Sequence, residues 1–404
     1  MASRISHPNI FCHSLQRNGK YGIVMMITQM EDTVLDRNEW EPESLQETPE
    51  QKQETIVRRR RLRLIGVLAF ILLNGIVLFF SGRADFAKKE PISFELFSLR
   101  NLVSIACAVG CVALALAAET CKYLKMMRQL GERVSPRAAF ETVVLGKYYD
   151  CITPSGAGGQ PFQIYHLHSH GYTGGPRSAM PLAAFMSTQY AFVILALVLF
   201  IFNNGAADAV GIRIAAYAGL VAYSAVPTMV ALTAISPTLS GRIVGFFVRI
   251  GAKLRLVKDP QTTTDKAEAA LVRYSGSLRI IARNKRLLIA LFALSLVYQA
   301  ALCSIPFFVV RIFGGDLRYM ESLTMCLYVY ASVTLVPTPG NAGAAEGSFY
   351  LLFDQLDTSG VFWAMLIWRF LCYYLFVLLG LGVYGYRYVE RKRGKRPAKE
   401  DVDP

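Results

Sequence analysis

Apolar residues run in long unbroken stretches along this chain. No Asp, Glu, Lys or Arg interrupts Leu64 to Ser81, Asn101 to Ala118, Ser178 to Ala207, Ile214 to Gly241, Leu287 to Val310 or Ser322 to Ala345. A helix needs on the order of 20 predominantly apolar residues to cross the hydrocarbon of a bilayer. In that medium its backbone N–H and C=O groups have to be paired within the segment. The pattern predicts an all-α polytopic membrane protein with about six full spans, at 64–81, 101–121, 178–202, 212–235, 287–310 and 358–386. Residues 138–170 are too polar and too broken for one clean span.

Charge then orients the spans. Basic residues gather at Arg58–Arg61 with Arg63, at Lys122, Lys125, Arg128, Arg133 and Arg137, from Arg242 to Arg286, and from Arg387 to Arg396. Between Arg242 and Arg286 there are 11 basic residues against three acidic ones. Cytoplasmic loops carry such an excess, so both termini are expected on the cytoplasmic side of a multi-pass protein of the cell membrane. All the clusters share one side only if residues 319–357 leave and re-enter on the outer side. Residues 1–57, rich in Glu, Gln and Asp, read as a mobile arm, 58–390 as the membrane domain and 391–404 as a basic tail. In the linker 241–286, Ile243, Phe247, Ile250 and Leu254 recur at helical spacing beside Arg242, Arg249 and Lys253. That pattern fits an interfacial amphipathic helix or a loop helix packed on the protein.

Composition agrees. The 404 residues are 53% hydrophobic and 18% charged, where soluble domains carry about a quarter charged residues. The net charge of +14 is spread between apolar runs rather than gathered on one element, so nucleic acid is not an expected partner. Cys107, Cys111, Cys303, Cys326 and Cys372 lie within apolar runs and no Cys-x-x-Cys occurs. They read as small hydrophobes, and no cofactor is expected.

The most informative feature is an internal repeat. Thr153-Pro154-Ser155-Gly156-Ala157-Gly158 and Thr338-Pro339-Gly340-Asn341-Ala342-Gly343 align without gaps as Thr-Pro-x-x-Ala-Gly, 185 residues apart. Each copy follows two spans and precedes one. Proline lacks a backbone donor and clashes with a continuing helix, and glycine permits positive φ, so a helix has to break at each copy. Two re-entrant broken-helix hairpins follow, within a pseudo-symmetric inverted repeat of about 64–202 and 212–386. Broken segments at corresponding places in two halves are the best sequence pointer to a transport site. Half-helix N-termini there would offer free N–H groups to an anion such as a phosphate.

Charges inside the apolar stretches supply candidate chemistry. Arg369 falls eleven residues after Thr358, roughly 16 Å deep at about 1.5 Å per residue, where a charge has to face the protein or a cavity and have a partner. Glu346, three residues after Gly343, suits the positive end of a half-helix. The two are expected to pair or to share a lipid headgroup, or else to form an ion pair that only locks the hairpin to the last span. In the first hairpin Lys147 and Asp150 lie one turn apart, with Gln160 and Tyr165 beyond the break. These four are candidates for a phosphate and its sugar or amino-acid substituent, although Lys147 lies within snorkelling reach of the interface. His166 and His170 share a helix face, but no Asp, Glu or Cys accompanies them closely in sequence. No metal site is therefore expected.

The stretch Tyr148-Tyr149-Asp150-Cys151-Ile152-Thr153-Pro154-Ser155-Gly156-Ala157-Gly158-Gly159-Gln160-Pro161 resembles the first signature of the lysylphosphatidylglycerol synthase transmembrane family. Val336-Pro337-Thr338-Pro339-Gly340-Asn341-Ala342-Gly343-Ala344-Ala345-Glu346, with Arg369 followed by Tyr373 and Tyr374, resembles the second. The resemblance covers about residues 60 to 390. It implies a flippase-like domain that moves an anionic or aminoacylated phospholipid, or a glycolipid, between leaflets, with Glu346 and Arg369 at the family's charged positions. It leaves open a homo-oligomer and a separately encoded transferase as partners. The family name implies the alternative activity of a phosphatidylglycerol lysyltransferase. Against that, the chain ends 18 residues after Tyr386, too short for the soluble domain that uses aminoacyl-tRNA in the full-length synthases.

Overall fold

The computed structural model describes residues 98–153, 156, 158–172, 174–203, 205, 210–235, 278–334, 336, 338, 340–354 and 360–392, together with the helical positions Leu72, Gly75 and Phe79. The arm 1–57, most of the first expected span, the linker from 241 to 277, the tail beyond 392 and the motif residues Pro154 and Pro339 lie outside the described residues. No strand occurs among those described.

Among the described residues ten α-helices follow in chain order: α1 Leu99–Gln129, α2 Pro136–Ile152, α3 Gly159–Ser169, α4 Gly174–Phe202, α5 Val210–Ile235, α6 Lys285–Ile312, α7 Tyr319–Ser332, α8 Ala344–Phe353, α9 Val361–Arg369 and α10 Leu375–Lys392. Local sequence sets several starts. Ser98, Ser135 and Asn284 accept hydrogen bonds from the N–H groups of Asn101, Ala138 and Leu287, the usual N-cap chemistry. Pro136 stands in the first turn of α2, where its missing donor costs nothing.

Four described helices are long and apolar enough to cross a membrane: Leu99–Gln129, Ser178–Phe202, Lys285–Ile312 and Val361–Glu390. The chain is an all-α membrane protein. On α1, Ala108, Val112, Ala115, Ala118, Lys122 and Met126 recur every three or four residues and are buried, whereas Leu102, Val103, Val109 and Leu114 are exposed. Exposed apolar residues on a span face lipid. α1 and α6 pack along each other at the centre, with α4 against α6, α7 against α5, and α10 against α2.

Two expectations are corrected. α1 continues to Gln129, so Lys122 is not a loop residue; it is 0% exposed in the protein interior. The last span begins at Val361 rather than 358, and a π-helical turn at Phe370–Tyr374 separates α9 from α10. π-turns inside α-helices are rare and gather at functional sites.

Candidate functional site

The two Thr-Pro-x-x-Ala-Gly copies do interrupt helices, one between α2 and α3 and one between α7 and α8. At the first break Thr153 Oγ1 donates to the Tyr149 carbonyl (2.6 Å) and accepts from the Gly158 N–H (2.9 Å), and Asp150 Oδ1 accepts from the Gly159 N–H (2.9 Å). A Cβ at Gly158 would stand 2.5 Å from Thr153 Cγ2, and one at Gly159 2.2 Å from Asp150 Oδ1. Glycine is required because the capping side chains occupy that space. Gly156 adds a positive φ of 64°.

The second break is longer and more strained. Gly340, Asn341 and Gly343 have φ of 56°, 54° and 88°, a region L-residues other than Asn and Asp seldom enter. Glu346 Oε2 accepts from the Gly343 N–H (2.7 Å), and its Oε1 accepts from Arg369 Nε (2.5 Å). Arg369 Nη2 donates to the Gly340 carbonyl at 2.8 Å. Both partners are nearly enclosed, Glu346 at 2% and Arg369 at 6% exposure.

Both half-helix N-termini are thus capped by the protein's own carboxylates, Asp150 and Glu346. The expectation that these N–H groups stand open to an external anion is corrected for Gly158, Gly159 and Gly343, whose N–H groups are taken by Thr153 Oγ1, Asp150 Oδ1 and Glu346 Oε2, the two carboxylates building in the negative charge that the positive end attracts.

Tyr373, in the π-turn, joins the two hairpins. Its ring lies 4.7 Å from the Arg369 guanidinium carbon, its hydroxyl donates to the Cys151 carbonyl at 3.1 Å, and a Cβ on Gly340 would meet its ring at 2.1 Å. Both signature motifs therefore converge on one aromatic ring.

Lys147 and Asp150 lie one turn apart on α2, and both residues are half-buried. Lys147 Nζ stands 4.7 Å from the centre of the Tyr298 ring of α6. Beyond Tyr298 lies a network that the sequence reading passed over. Lys122 Nζ contacts Glu119 Oε1 (2.8 Å), Thr188 Oγ1 (2.6 Å), Ser295 Oγ (3.0 Å) and the Ala184 carbonyl (3.4 Å). The available signal was Glu119-x-x-Lys122, an opposite-charge pair at i,i+3 directly after the apolar run 101–118. Gln160 and Tyr165 are half-buried on α3. They have no side-chain hydrogen bond among the described residues and are not drawn into either charged group.

His166 and His170 do have a carboxylate beside them, from a distant part of the sequence. Donor atoms of Glu141, His166 and His170 all lie within 4.8 Å of one another. The Arg387 guanidinium sits among them: its Nε and Nη2 reach Glu141 Oε2 at 2.9 and 2.7 Å, and Nη2 lies 2.5 Å from His170 Nε2 and 3.4 Å from His166 Nε2. A cation already fills the place a metal would take. Arg137 binds the other oxygen of Glu141 at 2.8 Å and also pairs with Glu390. Burial and the adjacent Arg387 hold the His170 imidazole below its ordinary pKa, which keeps it neutral and able to accept.

The sequence model of the family described as Lysylphosphatidylglycerol synthase TM region matches residues 64–380. A protein of Archaeoglobus fulgidus called UPF0104 membrane protein is 25% identical over 275 residues, covering 65% of this chain and 80% of that protein.

Proposed function

Because the chain belongs to the lysylphosphatidylglycerol synthase transmembrane family, we propose that it translocates an amphipathic lipid with a phosphate-bearing headgroup between the leaflets of the cell membrane. An aminoacylated phosphatidylglycerol or a glycolipid fits that description. The observation that carries this reading is the convergence of two broken hairpins on Tyr373, with the buried Glu346–Arg369 pair on one side and Cys151 of the Lys147–Asp150 helix on the other. Interrupted helices at membrane depth are tolerated where protein or a watery cavity covers them, and paired ones in two halves recur around transport sites. Lys147, half-buried with Tyr298 as its neighbour, is the cation suited to a phosphodiester. Asp150 suits an ammonium or hydroxyl substituent. The positive-inside distribution supports a cytoplasmic side for the basic ends and, with it, opposite orientations for the two halves.

The test is transbilayer exchange of fluorescent lysyl-phosphatidylglycerol and phosphatidylglycerol in proteoliposomes containing the full chain, read by back-extraction from the outer leaflet. Exchange should exceed that of protein-free vesicles and fall at least about ten-fold in Lys147→Gln and Arg369→Gln variants that remain monodisperse. Equal rates with and without the protein would remove the proposal, and new lysyl-lipid formed when lysyl-tRNA is added would favour the transferase reading.

A further inference from the structure

A second feature lies away from the hairpins. Near the start of α6, α4, α5 and α6 leave between them a cavity of about 540 Å³, lined by Ala183, Met186 and Tyr190 of α4, Ala231 of α5, and Leu291 and Phe292 of α6. Its volume is that of a small-molecule site. Such sites fix a polar ligand by several convergent polar groups, and this lining is almost wholly hydrocarbon. Leu288, also in the wall, is 41% exposed, and the adjacent Ile289 is 69% exposed. The mouth is thus level with residues that face lipid.

The polar features sit at its two ends. Arg279 is the cation that stands in the wall, and Arg283, Lys285 and Arg286 follow it in sequence within two turns, all exposed. Between Glu268 and Asp316 the sequence has no acidic residue, and Arg283, Lys285 and Arg286 make no ion pair among the described residues. At the inner end, Ser187 lies 3.1 Å from Ser295 Oγ, which receives the Lys122 ammonium at 3.0 Å.

We propose that this cavity holds one acyl chain of an anionic phospholipid whose phosphate rests on a cationic rim of Arg279, in the wall, and the exposed Arg283, Lys285 and Arg286 that follow it in sequence. The site needs only that the chain sits in a bilayer, and it stands whether or not the protein moves lipid. Bilayer tails are as apolar as the cavity wall, so burying a chain there gives little net selectivity. Selectivity comes from the rim, where each basic residue favours an anionic headgroup roughly five-fold. The competing occupant is the chain's own segment 236–277, which leaves from the end of α5 beyond Ala231 and returns at Leu278, both of them wall residues.

Photoreactive phosphatidylglycerol and phosphatidylcholine with a diazirine near the end of the same acyl chain would be incorporated into nanodiscs with the purified full chain. Labelled peptides would then be mapped by mass spectrometry. The expected result is that phosphatidylglycerol labels residues 183–190 and 288–292 at least about five-fold more than phosphatidylcholine does. Arg279→Gln, Arg283→Gln, Lys285→Gln and Arg286→Gln together should bring the two lipids level. Ala231→Phe and Ala282→Trp, which fill or roof the cavity, should abolish labelling there, whereas Ile201→Phe on the exposed face of α4 should not. The rim variants alter exposed residues and keep the test open if a filling variant misfolds. Equal labelling by both lipids in the unsubstituted protein would overturn the proposal. So would labelling indifferent to the filling substitutions, or cross-links that place 236–277 in the cavity without lipid adducts.

Discussion

Lys122 carries its charge with no exposed surface, and its surroundings explain how. An unpaired ammonium in a low-dielectric interior costs far more than the protein's whole stability. Here Glu119 neutralises it, and Thr188, Ser295 and the Ala184 carbonyl take up its donors. Removing one member of such a pair leaves the other buried and uncompensated, a loss of about 3–5 kcal/mol, whereas replacing both by apolar residues is often nearly neutral. Lys122→Met should therefore lower the thermal unfolding midpoint sharply in detergent, and Glu119→Leu with Lys122→Met should recover most of it. If the double variant melts lower than the single one, the pair contributes net stability and the argument fails. Arg369 was legible from sequence because it lies deep in an apolar run, but Lys122 was not. Counting positive charges assigns a residue to a loop without knowing where the helix ends, and α1 runs seven residues past Lys122 to Gln129.

Broken elements and close helix crossings depend on glycines whose missing Cβ is replaced by a neighbour. In α2, Tyr148 lies where a Cβ on Gly380 of α10 would come within 2.5 Å, and the Ala331 carbonyl of α7 lies 1.8 Å from where a Cβ on Gly219 of α5 would be. The first arm of each hairpin thus packs on a glycine of a neighbouring helix, the small-residue contact that membrane helices favour. Gly340 combines this with φ of 56° and Gly159 with the Asp150 cap. Gly340→Ala and Gly159→Ala should each reduce lipid exchange and lower the melting midpoint. Gly110→Ala on α1, where nothing lies within 4 Å, should be neutral or stabilising by about 0.5–1 kcal/mol. If all three behave alike, the close contacts are not what requires glycine. The position of both breaks was readable from the motif. Their unequal lengths, 153–158 against 333–343, and their capping by Asp150 and Glu346 were not, because capping depends on the path of the backbone.

Across the molecule, the first hairpin is fastened to the last helix at two levels. Tyr373 reaches Cys151 in the interior, and at the far end of α10 Arg387 reaches Glu141, His166 and His170 while Arg137 meets Glu390. The all-α membrane character, the helix breaks and the buried Arg369 could be read from the sequence, but this joint brings together groups more than 200 positions apart. It therefore surfaced only as an isolated His-x-x-x-His. The joint has a pH signature. His170 accepts from Arg387 only while neutral, and its folded pKa lies below the ordinary 6.5 through burial first and the Arg387 charge second. In the unfolded chain it takes up a proton near 6.5, so below that pH the unfolded state binds more protons and stability falls by up to about 1.4 kcal/mol per pH unit. Above pH 7 neither state is protonated and the contribution is constant. The melting midpoint should thus be flat from pH 8 to 7 and decline from about 6.5 to 5.5. His170→Gln, whose side-chain oxygen can still accept from Arg387, should reduce that decline. Arg137 and Arg387 both oppose charging of His170 while Glu141 favours it, so an Arg387→Gln variant should bring the folded pKa closer to the unfolded one and make the decline smaller, with the same onset near 6.5, even as it weakens the joint. A profile that falls equally in all three proteins would place the titrating group elsewhere, and the two halves would then be held mainly by the Tyr373–Cys151 contact and apolar packing.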